Sequence, residues 1–474
     1  MTHQRNLSWK KRLTLLLTGT CFLLATASTV GDIGTVKWQQ KYNPVSSRWN
    51  NGFYWSVGFN TDGSVLASGF RGEADAGSAI GVRYNALTGD VIDTPSEWFL
   101  FEYTWSDYTQ DRFYDQHIDS NGNIYFVGTS YTASFNSFRP RYDVPNIWKF
   151  DSTYANPASG SSNPERPLWR EFYAPNLPSN NEVNSMGQFF SMAVDSSDNI
   201  YAVGWFDDNP VAAANRDWVV DKYDSDGTRA VGFPIIHDNE NLHDYAYGVA
   251  TDSEDNFIVV GSILVDAATD HHDWAVRKYK SDGTLLWETE YDLATGHDQA
   301  LYVAVDGDDN VIVSGYRRNA PPADDNDWYI VKYAKDGDGL GGATVMWDKS
   351  WDDGGSKHGN AYDVVLDSGN NIYVIGVQQK DSLSPAYSDR YRAILQYRDG
   401  QTGTLLNSQD IVLDATENNR PDIENDFLRG LSLRGDHLLI VGYTQQDGGY
   451  SVTRGRTGRV VMLHLPPIFK DGFE

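Results

Sequence analysis

Between residues 244 and 292 apolar side chains recur at every second position and not at the 3.6-residue spacing of a helix. YAYGVAT (245–251) reads as a strand, DSEDN as a turn, and FIVVGSI (257–263) as a β-branched strand. A variable loop leads to WAVRKYK (274–280). Ser281-Asp282-Gly283 then offers a hairpin turn, and TLLWETEY (284–291) closes the unit. No long helical pattern occurs anywhere along the chain. The unit is four antiparallel strands.

Its second-strand phrase recurs seven times: NTDGSVLASG (60–69), DSNGNIYFVG (119–128), DSSDNIYAVG (195–204), DSEDNFIVVG (252–261), DGDDNVIVSG (306–315), DSGNNIYVIG (367–376) and LRGDHLLIVG (433–442). Repetition at such a period is the mark of a propeller or solenoid, and four-stranded units select the propeller. The last copy supplies a third strand, RVVMLHL (459–465), and no fourth. GTVKWQQKYN (34–43) matches GTLLWETEYD (283–292) at Gly34/Gly283, Thr35/Thr284, Trp38/Trp287 and Tyr42/Tyr291, so the chain opens with the strand its last unit lacks. The predicted fold is all-β: a seven-bladed β-propeller of four-stranded antiparallel blades, closed by strand 34–43 completing the C-terminal blade.

The repeated sentence D-W-x-V-x-K-Y-x-S-D-G-T-L-L-W, followed by A-Y-x-V-A-x-D-S-x-x-N-I-Y-V-x-G, resembles the bacterial SBBP/delta-60 class of β-propeller repeats. The resemblance spans 34–465 and is best over 195–376; residues 151–187 interrupt the spacing. It implies an exported bacterial propeller and no particular activity. The tail LPPIFKDGFE (465–474) is similar to an I-F-x-D-G-F-E ending found on exported proteins of Gram-negative bacteria.

The front end fits that reading. Lys10, Lys11 and Arg12 precede an apolar run, 13–27, that ends in Ala25-Thr26-Ala27, the form of a secretory signal peptide cleaved after Ala27. The expected organisation is a signal peptide over 1–27, the propeller over 28–465 and a tail over 466–474, in a secreted or periplasmic protein without a membrane span. The single cysteine, Cys21, lies in the leader, so no disulfide braces the domain.

Acidic residues outnumber basic ones by 65 to 38, a formal net charge of −27. Such a field disfavours nucleic acid and anionic membranes as partners.

Symmetry separates structural from functional residues. A residue present in every blade serves packing or a turn, and a ligand site breaks the symmetry. The Asp195/Asn199, Asp252/Asn256, Asp306/Asn310 and Asp367/Asn371 pairs therefore read as turn caps. None has the ligand spacing of a calcium loop. Recurrent Trp residues read as blade-on-blade packing, and KDGDGLGG (335–342) as a long hairpin.

Strand direction puts the tight turns on one face and the long loops on the other, where binding is expected. On that face His243-Asp244, His297-Asp298 and His358 occupy equivalent places in three successive blades, with Trp205, Tyr316 and Arg317 nearby. The same His-Asp pairs also read as simple turn openers. Three symmetric histidines do not fit one zinc ion, because Zn–N bonds of about 2.1 Å leave no room for the outer pair. No metal or cofactor is expected.

The residues support a non-catalytic module that binds a polysaccharide or cell-surface protein. The alternative is a lyase-like carbohydrate-active enzyme, with His243, His297, Tyr316 and Arg317 as acid–base and charge-neutralising groups. A quinone-dependent dehydrogenase is disfavoured by the blade count and the absence of vicinal cysteines.

Overall fold

The computed structural model describes residues 33–41, 52–73, 76–92, 110–132, 142–151, 167–172, 186–207, 215–239, 242–268, 271–291, 296–319, 325–352, 357–379, 391–411, 424–446 and 456–466. The expected signal peptide, the tail beyond Pro466 and Tyr42 lie outside them.

The described residues form a seven-bladed β-propeller. β1 (Thr35–Lys41) comes first in the chain, and blade 1 holds β2 (Gly52–Phe59), β3 (Ser64–Glu73) and β4 (Ala76–Asn85). Blade 2 is β5 (Gln110–Ile118), β6 (Ile124–Thr132), β7 (Tyr142–Phe150) and β8 (Trp169–Phe172). Blade 3 is β9 (Met186–Val194), β10 (Ile200–Asp207), β11 (Asp217–Tyr223) and β12 (Ile235–His237). Blade 4 is β13 (Asp244–Thr251), β14 (Phe257–Asp266), β15 (His271–Tyr279) and β16 (Leu285–Tyr291). Blade 5 is β17 (Gln299–Val305), β18 (Val311–Arg318), β19 (Asn326–Tyr333) and β20 (Val345–Trp351). Blade 6 is β21 (Gly359–Leu366), β22 (Ile372–Gln379), β23 (Tyr391–Arg398) and β24 (Leu405–Ile411). Blade 7 runs β25 (Glu424–Arg434), β26 (His437–Gln446) and β27 (Arg456–His464), and its outer strand is β1 (Thr35–Lys41).

The closure predicted from the Trp38 match is thus present. β1 pairs antiparallel with β27 from Thr35↔His464 to Lys41↔Arg459. Trp38 is buried, its ring 6.1 Å from that of Tyr84, and its Nε1 donates to the Ala86 carbonyl at 2.9 Å. The seam between last and first blades is therefore a packed core, in which Trp38 and Met462 meet Tyr54, Val65 and Tyr84.

The repeated residues hold blade to blade. Trp169, Trp287 and Trp38 each leave an outer strand and donate to a carbonyl in the next blade's third-to-fourth strand turn, at Ser225, Lys335 and Ala86. A lysine before the last aromatic of the third strand does the same: Lys149 reaches Ser225, Lys222 reaches Ser281, Lys278 reaches Lys335 and Lys332 reaches Gly400. The third-strand tryptophans Trp218, Trp274 and Trp328 pack against Gly261, Gly315 and Gly376 of the following blade. KDGDGLGG is more than a hairpin. Its Gly341 carbonyl accepts from Glu288 N–H at 3.0 Å, tying blade 5 to the outer strand of blade 4.

The DSxxN turns are caps, as their spacing indicates. Asp252 Oδ1 accepts the N–H groups of Glu254 and Asn256, and its Oδ2 takes the Asn256 amide. The fourth turn residue sits at positive φ and receives the next link: Asp255 (φ 61°) accepts from Ser196 of blade 3, and Asp309 (φ 64°) from Ser253 of blade 4.

Lys278–Asp252 and Lys332–Asp306 are buried ion pairs, each 2.7 Å long. Burial pushes Asp306 up, but hydrogen bonds from Lys332 and Asn310 outweigh it and hold the carboxyl below its ordinary value. A depressed folded-state pKa contributes stability above the unfolded value, lost as pH falls through the folded one. Lys332→Met should therefore cost about 3 kcal/mol at pH 7, the penalty of stranding a buried carboxylate. Urea melts should show its deficit shrinking towards pH 3. A deficit constant with pH would mean the lysine stem, not its charge, matters.

Candidate functional site

The innermost strands carry a feature that alternation alone does not reveal. Each is broken by a register shift: Tyr54/Ser56, Phe113/Asp115, Ala246/Gly248, Ala300/Tyr302, Ala361/Val364 and Leu428/Gly430, with the same slip in β9 opposite Val203/Gly204. A bulge turns an extra side chain out of the pairing pattern. Those side chains meet each other from blade to blade. Trp55 lies 4.8 Å from Tyr114, Tyr114 5.5 Å from Phe190 and Phe190 5.6 Å from Tyr247. Arg429 of blade 7 places its guanidinium 4.4 Å over the Tyr362 ring of blade 6. An aromatic belt thus lines the inner strands of blades 1–4 and resumes across blades 6 and 7.

Next along the inner strands lie two buried carboxyl groups and a phenol. Asp115 accepts from Ser56, Ser191 and the N–H groups of Gln116 and Met192. Asp363 accepts from the N–H groups of Val364 and Leu431, both at 2.6 Å. Burial pushes both carboxyls up, and the nearby Asp115 charge raises Asp363 further. Burial, then Asp363 and Asp115, raise the Tyr302 phenol.

Towards the loop face the belt continues into a wall on blades 3–5. Tyr245 stacks on Tyr247 at 5.7 Å and its hydroxyl accepts from Arg216 at 2.5 Å. Arg216 also lies 4.6 Å over the Trp205 ring. His272 stands 6.0 Å from Tyr245 and stacks on His297 at 5.3 Å. Trp205 itself is buried, so Arg216 and Tyr245 present the surface in its place.

The three histidines take equivalent positions just before β13, β17 and β21. His243 Nδ1 accepts the Arg216 N–H at 3.3 Å, and His358 Nδ1 accepts the Asn326 N–H at 3.2 Å. His297 instead stacks on His272. Each histidine therefore engages the start of the third strand in the preceding blade. Asp244 and Asp298 are buried beneath them. Asp244 accepts from the N–H groups of Asn239 and Leu264, and Asp298 from that of Arg318 at 2.8 Å. Burial pushes Asp244 up to about 7. These carboxyls hold the loop bases.

Tyr316 and Arg317 are consecutive in β18, so their side chains take opposite faces. Tyr316 shares its face with Trp328 and Ser314, whose hydroxyl bonds the Tyr362 carbonyl of blade 6. Burial and the neighbouring Tyr247 and Tyr362 push the Tyr316 phenol up. Arg317 faces blade 4, 5.6 Å over the Tyr329 ring and 3.8 Å from Asp327. The structure therefore separates the Tyr316 and Arg317 side chains onto opposite faces of β18.

Tyr247 and Arg429 of the belt, and Arg216, Tyr245 and His272 of the wall, were not candidates from sequence. For Tyr247 and Arg429 the signal was the position in the inner-strand phrase that changes from blade to blade (Trp55, Tyr114, Phe190, Tyr247, Leu301, Tyr362, Arg429) while its neighbours repeat.

On the opposite, tight-turn face, a cleft of about 350 Å3 opens between blades 4 and 5. Its Asp252, Lys278 and Trp287 are already engaged in the turn caps and inter-blade clamps.

No protein-family model and no curated protein matches this sequence. Among solved structures, the chain is similar to an ulvan lyase from a polysaccharide lyase family, with 12% identity and a TM-score of 0.51 over 90% of this chain and 96% of that one. A protein of unknown function from Dyadobacter fermentans aligns at 11% identity and TM-score 0.48, over 92% of this chain and all of the other. The first two extracellular domains of Drosophila semaphorin 1a align at 10% identity and TM-score 0.41, over 90% of each chain. At these identities the likeness is one of fold alone.

Proposed function

We propose that the chain is an exported binding module whose loop face engages a polysaccharide carrying anionic groups. The observation that carries this reading is the wall in which Arg216, Tyr245 and His297 reach the surface, backed by Tyr247 and the buried His272. Aromatic rings suit the apolar faces of sugar rings, and guanidinium and imidazole groups suit carboxylate or sulfate substituents. Arg216 gives the wall a fixed positive charge in a chain of net charge −27, so it attracts an anionic group against the field of its surroundings. The SBBP-like repeats, the leader at 1–27 and the IFKDGFE ending support export. The ulvan lyase of similar fold is a polysaccharide lyase, a ligand class in keeping with this reading.

Calorimetry against a panel of neutral, uronic and sulfated polysaccharides tests the proposal. An anionic member should bind, and Tyr245→Ala should weaken that binding about tenfold or more, the loss of roughly 1.4 kcal/mol. Asp282→Asn, on the opposite face, should not change it. Binding confined to neutral glycans, or equal in both variants, would refute the site. The same titrations followed by ultraviolet absorbance read out the lyase alternative, since β-elimination leaves an unsaturated product. The separation of Arg317 from Tyr316 favours the module.

A further inference from the structure

The turn between β25 and β26 breaks the rule of the other blades. In blades 3–6 the turn carboxylate is capped by an asparagine four residues on. Blade 7 has Leu433-Arg434-Gly435-Asp436-His437 in this place, and no such asparagine follows. Asp436 instead faces two imidazoles. Its Oδ1 lies 2.6 Å from His437 Nδ1, and its Oδ2 3.5 Å from His464 Nδ1. His437 opens β26, His464 ends β27, and the two are direct cross-strand partners with rings 5.5 Å apart. One donor atom from each of the three residues falls within a 4.8 Å span.

We propose that Asp436, His437 and His464 bind a divalent transition-metal ion of the zinc type on the tight-turn face. Two imidazole nitrogens and one carboxylate oxygen are a common zinc donor set, and a water completes the tetrahedron. Bonds of about 2.1 Å need donors roughly 3.4 Å apart, so side-chain rotations of about an ångström close the site. All three groups are partly open to solvent, which gives the ion a path in.

The charged neighbour is Lys37 of β1, whose Nζ lies 2.9 Å from His437 Nε2. An ammonium only donates, so Nε2 accepts and the His437 proton sits on Nδ1, towards Asp436. Coordination through Nδ1 needs that proton moved to Nε2. Lys37 then faces a donor and a cation and must swing away. Once bound, the ion ties β26 to β27 beside the strand that closes the ring, so it staples the closure blade.

The test titrates the full mature chain, free of any polyhistidine tag, with Zn2+ and Co2+. One ion should bind per chain, and Co2+ should give the strong visible absorption of a tetrahedral site. His464→Asn and Asp436→Asn should each weaken zinc at least about tenfold, while their melting temperatures without metal stay near wild type. Lys37→Met removes the competing charge and should tighten binding several-fold. Zinc should raise the melting temperature of wild type and of Lys37→Met, and not that of His464→Asn. Lack of saturable binding to wild type, equal affinity in His464→Asn, or weaker binding in Lys37→Met would each overturn the proposal.

Discussion

A chain lacking residues 28–43 is expected to be insoluble or to melt far below the complete protein. The deletion removes β1, which supplies the outer ladder of blade 7 from Thr35 to Lys41. It also strips Trp38 from the seam, where the ring packs on Tyr84 and against Gly89. Loss of a buried tryptophan alone costs about 3–5 kcal/mol, a large part of the stability of a typical domain. The β27 edge is left bare, and an unpaired edge recruits strands from other molecules. Trp38→Ala in the full-length chain separates the two effects. It should lose the packing energy yet stay soluble, because the ladder remains. Thermal melts and size-exclusion profiles of the two proteins check this. A deletion variant that melts within a degree or two of the intact chain would mean that ring closure contributes nothing.

Gly315→Ala is expected to destabilise the protein by about 3 kcal/mol, at the upper end of overpacking penalties. A methyl group there would collide with the Gln299 carbonyl oxygen of the adjacent inner strand and lie 2.9 Å from the Trp274 ring of blade 4. Neither can yield: the first is backbone, the second is fully buried. Gly339→Ala is the control. Its φ is +77° but nothing lies within 4 Å of the new methyl, so only backbone strain of about 1 kcal/mol applies. Urea midpoints of the two variants should differ clearly. Equal midpoints would show that the inner strand can shift to admit a side chain. Gly261 and Gly376 have the same two neighbours, a carbonyl oxygen and a tryptophan, which explains why this glycine ends the repeated phrase.

Much of this architecture was legible because repetition multiplies weak signals. A single FIVVGSI could be a strand of many folds, but seven spaced copies leave few architectures, and the Trp38/Trp287 match fixed how the ring closes. The DSxxN caps and the blade-on-blade tryptophans followed from the same logic. The inner-strand bulges were not legible. A one-residue slip reverses which side chains face inward, and nothing local marks it. Tyr114, Tyr247 and Arg429 therefore read as ordinary strand positions. Asp115 and Asp363 likewise looked like common acidic residues until the bulges turned them inward. The Asp436, His437 and His464 cluster depends on a cross-strand pairing whose members stand far apart along the chain. For the loop face, sequence located the His243, His297 and His358 arc but not its engagement by the preceding blade.

The partnership of β1 with the last blade also sets an order of events. Lys37 meets His437 across 400 residues of sequence. A chain that emerges amino end first must hold β1 without a partner until β26 and β27 have appeared. Contacts between such distant segments form slowly, because the intervening chain must be ordered before they can. Six blades can pair their own strands as they arrive; the seventh waits for the first strand made and the last. That interval is the period of greatest exposure to proteases and to self-association. The time this one strand spends unpaired, rather than the folding of the domain at large, is then expected to limit the yield of closed rings.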